Sequence, residues 1–500
     1  MKRLLPAILA LLVALTLAGA VAPAWSAAQG MTMGVRPPGA WDASAIGAAR
    51  PAGSWGRAIE VPGLGALSKG GGAGVSEVSC ASAGNCAAGG DYRDRHHNGQ
   101  AFVASERHGR WGRAIEVPGL GALNAGGAAV ESVSCGSAGN CAAGGFYSYA
   151  EPAYDRVAPF VATERGGRWG KAVALPADGE VYSVSCASAG NCLAVGSAAG
   201  PDEYFADHNA FFVEERAGHW GHLRSVPGLR ALKHVDSWIS SVACPSAGNC
   251  AVGGAYADRS HRLHGFVAVE RNGRWGMAIE VPGLGALNAG GSADLSVSCG
   301  SAGNCAAGGF YRDGDGHYQG FVAVERNGRW RMAIEVPGLG ALNKGDRAAV
   351  NSVSCGSAGN CVAAGAYAAL AVPPRRSGRL HGFVAVERNG RWERAIQVPG
   401  LAALSKSGDA FVTSVSCASA GNCAAGGYYT DRSHHRQGFV AVERNGRWGT
   451  AIAVPGLKAL NAGGSAEVDS LSCPSRGHCA AGGSFRGRSG HRRGFVTQAG

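Results

Sequence analysis

The chain has 500 residues, among them 82 Gly, 20 Pro and 16 Cys, and only 16% are charged. This composition excludes an acidic disordered chain and a helix-rich coiled coil. The formal net charge of +11, from 46 Lys and Arg against 35 Asp and Glu, points in an exported protein to anionic glycans, wall polymers or lipid headgroups before nucleic acid, with solubility alone as the other reading.

At the start of the chain, Met1-Lys2-Arg3 precedes an apolar run from Leu4 to Val21 and a small-residue stretch ending at Ala28. This is the three-part pattern of a signal peptide over residues 1–28. An uncleaved anchor is the alternative, because the run approaches the roughly 18 to 20 residues of a spanning helix. No later stretch is apolar over that length, so no transmembrane span is expected after cleavage. Residues 29–54, rich in Ala, Gly and Pro, read as a flexible lead-in.

From residue 55 to 500 the chain repeats. All cysteines fall into pairs of one spacing, Cys-x5-Cys: Cys80 with Cys86, Cys135 with Cys141, Cys186 with Cys192, Cys244 with Cys250, Cys299 with Cys305, Cys355 with Cys361, Cys417 with Cys423 and Cys473 with Cys479. Even number and fixed spacing predict disulfides and an oxidising compartment. Zinc is the rival, but the pairs are far apart in the chain and no His recurs at a fixed offset from them.

The pairs recur about every 56 residues, and each unit carries four strand signals. In the fifth, Ser296-Val-Ser-Cys299 alternates and leads through Ser-Ala-Gly-Asn into a second strand from Cys305. A third strand from Gly320 and a fourth from Trp330 flank Asn327-Gly328, a type I′ hairpin signal. The same Asn-Gly recurs at Asn272, Asn389 and Asn445, while His108, Gly166 and Ala217 precede the Gly elsewhere. A Pro-Gly-Leu-Gly-Ala-Leu-Asn connection then crosses to the next unit.

Eight such units predict an all-β fold, a single eight-bladed β-propeller of four-stranded antiparallel blades spanning residues 55–500. An isolated fourth strand, Ala58 to Pro62, precedes the first Cys pair, and the last unit stops after its third strand, Gly494 to Gln498. The amino-terminal strand is therefore expected to complete the last blade as three plus one. An open solenoid would instead need polar capping units.

The recurring Val-Ser-Cys-x-Ser-x-x-x-Cys-x-Ala-x-Gly segment followed by an Asn-Gly-x-Trp hairpin resembles a repeat of exported bacterial β-propeller-type proteins, mostly of unassigned function. The resemblance implies a propeller fold and export, and it transfers no catalytic residue. The segment here reads Ala-Gly-Gly more often than the Ala-Val-Gly of that repeat, with Ala194-Val-Gly196 closest to it.

Three features compete for function. Glu-Arg ends the third strand at Glu106, Glu164, Glu215, Glu270, Glu325, Glu387 and Glu443, with Gln498 in the eighth unit. These are either a ring of ligand sites or hairpin pairs that every blade needs. Eight Trp from Trp55 to Trp448 open the fourth strands, as sugar-stacking platforms or as wedges between blades. The variable loops between second and third strands are His- and Arg-rich, and in the last three units they concentrate Arg375, Arg376, Arg379, Arg432, His434, His435, Arg436, Arg486, Arg488, His491, Arg492 and Arg493 against one acid, Asp431.

A basic arc of this kind suits an anionic polymer held by bidentate Arg, and by His as the pH falls toward about 6. The expectation is a secreted or cell-surface binding or scaffold module, monomeric, for an anionic polysaccharide, cell-wall polymer or protein partner, with no nucleic acid. A glycan-active hydrolase or lyase, with acids and His clustered near a central channel, and a structural envelope protein are the alternatives. No catalytic residue, cofactor or metal is expected: Asp313-Gly-Asp315-Gly is only half a calcium loop.

Overall fold

The Ser-Ala-Gly-Asn turn shows how local chemistry starts each blade. Asn85 Nδ2 donates to Ser82 Oγ and to the Ala83 carbonyl, both at 3.1 Å, and Gly84 takes φ +68°. The reversal pairs Ala73–Ser82 with Asn85–Arg93 and sets Cys80 directly opposite Cys86. The computed structural model, which describes residues 54–150, 155–199, 209–232, 235–369 and 378–500, bridges this pair and its seven counterparts as disulfides. Their Cα atoms lie 3.9–4.1 Å apart, near the spacing of facing residues in an antiparallel ladder. No cysteine is free, which leaves no thiolate for zinc. The signal-peptide segment and residues 29–53 lie outside the described residues, as do Arg375 and Arg376.

The second hairpin obeys its turn chemistry. Asn272, Asn327, Asn389 and Asn445 take φ of 48, 47, 50 and 50°, and the Gly after each is also positive, as type I′ requires. His108 and Ala217 accept the same strained conformation, at 49 and 47°. In the first blade the hairpin joins Gly99–Arg107 to a fourth strand in two pieces, Arg110–Trp111 and Ile115–Glu116. Gly112 N–H bonds the Ser105 carbonyl at 2.8 Å before the break, as Arg331 N–H bonds the Val324 carbonyl and Glu393 N–H the Val386 carbonyl at 2.8 Å, so the break does not require a glycine. Between blades, the Pro-Gly-Leu connection folds as one helical turn, Leu64–Leu67 in the first case, with Leu64 buried.

Eight antiparallel sheets result. Closure is three plus one: Ile59–Glu60 lies beside Arg492–Ala499, followed by His478–Arg486 and Ala466–Ser475. The register corrects one reading. Trp55 bridges to Ala499 as Trp111 pairs with Glu106, so Ala499, not Gln498, stands at the repeated Glu position and Gly500 at the Arg position. Gln498 matches Ser105; its chemical likeness to Glu had suggested otherwise.

Each blade buries a phenylalanine at one position of its third strand, namely Phe102, Phe160, Phe211, Phe266, Phe321, Phe383, Phe439 and Phe495, and the third blade buries Phe212 beside it. Blades also approach so closely that a Cβ on Gly89 would meet Val130 Cγ1 of the next blade at 2.4 Å, which accounts for the Ala-Gly-Gly wording of the repeat.

The first strands stand side by side around the axis, and the serines of Ser-Val-Ser-Cys bolt them together. The Oγ of Ser79, Ser134, Ser185, Ser298, Ser354, Ser416 and Ser472 accepts the N–H of the first cysteine of the following blade at 2.9–3.0 Å. The bond from Cys80 to Ser472 crosses the seam between last and first blades. The missing member is the bond to Cys299, because Ala243 stands where the serine should be. A second tier runs beside it, with Val133 N–H donating to Glu77 Oε2 at 3.1 Å, Val184 to Ser132 Oγ at 3.0 Å and Val78 to Ser470 Oγ at 3.2 Å.

Ala243→Ser is expected to supply the eighth bond and stabilise the fold by about 1 kcal/mol, whereas Ser134→Ala should cost about 1 to 2 kcal/mol by stranding the Cys186 amide. Calorimetric unfolding of the two variants checks both signs.

Candidate functional site

In every blade the loop between second and third strands and the connection to the next blade lie at one end of the ring. The disulfide turn and the Asn-Gly hairpin lie at the other, as the antiparallel order dictates. The first end carries two zones of opposite charge.

The outer zone holds the Arg- and His-rich loops. Arg432, His434, His435, Arg486, Arg488 and His491 are exposed. Main-chain bonds join the seventh and eighth loops into one surface: Arg436 N–H donates to the Gly464 carbonyl at 2.9 Å, and Arg486 N–H to the Ser465 carbonyl at 2.8 Å. The one acid, Asp431, is spent inside its own loop, where it accepts from Ser433 N–H (2.9 Å), His435 N–H (3.0 Å) and Gln437 Nε2 (3.2 Å). Burial opposes its charge, but these donors outweigh it and hold the carboxyl below its usual range.

Three other arginines of the arc are engaged, two across blades and Arg493 within the closing blade. Arg492 Nη1 contacts both Asp91 oxygens, at 2.9 and 3.2 Å, and lies so close over Gly74 that a Cβ there would meet its Nη2 at 2.0 Å. Arg493 pairs with Glu60 at 3.1 Å. Arg436 pairs with Glu467 at 3.2 Å while lying 4.1 Å above the Tyr428 ring. Arg379 donates at 3.5 Å to the Lys406 carbonyl. Of the other loop histidines, His264 stacks on Tyr256 and contacts Asp258 at 3.2 Å, and His381 stacks on Tyr367.

The inner zone was missed by sequence reasoning. In seven blades the first strand carries a β-bulge before Ser-Val-Ser-Cys, and the bulged residues are Ser76, Glu131, Tyr182, Ser240, Asn351, Thr413 and Asp469. The fifth blade lacks the residue and the bulge. Because first strands are the innermost, bulges aim these side chains at the ring's inner wall. Glu180 and Glu467 sit two residues before their bulges, and Glu77 just after its own. The available signal was variation: the flanking residues largely repeat from blade to blade, whereas these seven positions carry six different residue types, with only Ser76 and Ser240 alike.

The wall is electrostatically strained. Burial pushes Glu131 up to about 7, with the charges of Glu180, Asp91 and Glu77 adding to the push and Arg492 pulling it back. Burial also raises Glu77 to about 7, against bonds from Ser132 and Val133 N–H. Asp469 is raised well above its ordinary value by burial and by Glu467, and burial raises Glu180. Asp294, fully enclosed, accepts from Ser240 Oγ at 2.7 Å and Trp238 Nε1 at 3.3 Å.

The other two features lie at the opposite end and serve assembly. Six of the seven arginines of these pairs cross to the buried Glu of the following blade: Arg107 to Glu164 at 3.8 Å, Arg165 to Glu215 at 3.6 Å, Arg216 to Glu270 at 3.7 Å, Arg271 to Glu325 at 2.7 Å, Arg388 to Glu443 at 3.3 Å, and Arg326 to Glu387; for the seventh, Arg444, the following blade has Ala499 at the Glu position. The pairing is thus between blades rather than between strands. The Trp rings wedge into the same junctions; Trp169 Nε1 donates to Ser105 Oγ at 3.0 Å and Trp220 Nε1 to Thr163 Oγ1 at 2.9 Å of the preceding blade. Asp313, Asp315 and His317 offer ligand atoms within 4.8 Å of one another. Asp313, however, accepts from Asp315 N–H, His317 N–H and Gln319 Nε2, the same loop device as Asp431.

No family model and no curated protein matches the chain. Among solved structures it is similar to Sqt1 from Chaetomium thermophilum, at 11% identity and TM-score 0.45, covering 86% of this chain and 97% of that one. A Dyadobacter fermentans protein of unknown function matches at 8% identity and TM-score 0.40, covering 89% and 99%. An α-L-arabinanase of Penicillium chrysogenum complexed with arabinobiose matches at 11% identity and TM-score 0.32, covering 61% and 89%.

The raised carboxyls carry a pH signature. Their folded pKa lies above the unfolded value, so their contribution is fully present below about pH 4.5 and is lost as pH rises through about 7. The melting temperature is therefore expected to fall between pH 5.5 and 8. Glu131→Gln should flatten that slope; a melting series in which wild type and variant fall in parallel would contradict the assignment.

Proposed function

We propose that the protein is an exported, monomeric binding module that holds an anionic polysaccharide or wall polymer against the loop end of blades six to eight. The observation that carries this reading is the continuous exposed surface of Arg432, His434, His435, Arg486, Arg488 and His491; the acid within these loops, Asp431, is consumed by its own loop, and Glu467, Asp91 and Glu60 are paired with other arginines. Guanidinium forks grip phosphate, sulfate or carboxylate groups in pairs, and the histidines add charge below about pH 6. Arg375 and Arg376 extend the same run in sequence. Eight disulfides support an oxidising, extracytoplasmic setting. Among the described residues no helix is long and apolar enough to cross a membrane.

A second reading, a glycan-active enzyme, is favoured by the inner-wall acids. Glu131 and Glu180 interact through their charges and are both displaced upward, the condition under which one carboxyl stays protonated as an acid beside an ionised partner.

The two readings separate by mutation. Neutralising Arg432, Arg486 and Arg488 to Gln is expected to weaken binding of anionic polymers at least tenfold and to reduce its salt dependence, with melting unchanged. Arg492→Gln should instead lower the melting temperature, because it strands Asp91. Glycan cleavage abolished by Glu131→Gln and untouched by the loop substitutions would overturn the binding reading in favour of the enzyme.

A further inference from the structure

At six blade junctions the buried Glu of one blade is neutralised by the Arg of the blade before it. At the seam between last and first blades the Arg position is Gly500, which has no side chain, so Glu106 meets no cation among the described residues. It is 2% exposed. Its Oε1 accepts the Gln498 amide, and its Oε2, like that of Glu164, Glu215, Glu387 and Glu443, is buried without a hydrogen-bond partner; what sets Glu106 apart is the absence of an arginine beside it. A cavity of about 320 Å³ opens there, lined by Glu106, Gln498, Gly500, His478 and the Cys80–Cys86 disulfide. At the six other junctions the guanidinium stands beside the Glu and can also reach the next hairpin, as Arg388 does to the Gly446 carbonyl.

We infer that this cavity is a binding site for a small alkylguanidinium or alkylammonium cation, held by Glu106 and oriented by the Gln498 amide. The site is at the opposite end of the ring from the loop surface and is independent of it. A buried carboxylate with no cation beside it favours a charge-assisted fork donor over a neutral ligand of the same shape. The volume falls at the lower end of small-molecule pockets, which limits the ligand to a head group and a short alkyl stem. Burial, opposed by the Gln498 amide, pushes Glu106 up to about 7, so the site is charged and competent in mildly alkaline solution.

The test is a titration at pH 8 with ethylguanidinium against its neutral counterpart ethylurea, read by calorimetry and by melting temperature on the disulfide-intact chain. Saturable heat and a raised melting temperature are expected with ethylguanidinium alone. Glu106→Gln should reduce that affinity more than tenfold without lowering the ligand-free melting temperature, because a neutral amide suits the buried position. Gly500→Arg, for which the His478 ring must move aside, should place a guanidinium of the chain itself in the cavity and reduce ethylguanidinium affinity. Absence of saturable binding, equal response to ethylurea, or binding retained in Glu106→Gln or unchanged in Gly500→Arg would each overturn the inference.

Discussion

The fold depends on a hydrogen bond repeated around the axis, from the N–H of each first cysteine to the serine Oγ of the preceding blade. An innermost strand of a propeller exposes one ladder edge to the next blade, and unpaired amides there would be costly. The serine side chain satisfies the edge without merging the sheets into one continuous barrel. It also fixes the angular position of each blade, and the glycines opposite the next blade's valines, such as Gly89 against Val130, let the blades close to contact distance.

Much of this was legible in the sequence. The period, the four strands, the disulfide partners and the type I′ hairpins all follow from residues whose local chemistry leaves one conformation, such as Asn327-Gly328. Closure as three plus one followed from the incomplete first and last units. The purpose of Ser-Val-Ser was not legible, because alternation predicts which side a serine faces but not that the neighbouring blade stands there. The same limit explains Gln498: chemical likeness aligned it with Glu, whereas the pairing of Trp55 with Ala499 shifts it by one.

The candidate site divides along the same line. Loop arginines can be counted in a sequence, but their partners cannot. Arg436, Arg492 and Arg493 find acids in other strands, two of them, Asp91 and Glu60, brought close by ring closure, which leaves Arg432, Arg486 and Arg488 as the exposed arginines of the last two loops outside these pairs. The inner-wall acids are scattered through the chain, from Glu77 to Asp469, and become neighbours only when eight first strands share one axis. Repeated residues in this ring hold blades together, and variable ones, on bulges and loops, face the space where a ligand can enter.

The serine ring is tested most directly by native-state hydrogen exchange resolved at the first cysteine of each blade. The amides of Cys80, Cys135, Cys186, Cys244, Cys355, Cys417 and Cys473 should share one high protection, including Cys80 across the seam, while Cys299, facing Ala243, exchanges faster. Rapid exchange at Cys80 with protection elsewhere would mean that the ring opens between its last and first blades, contradicting a closure held by these bonds.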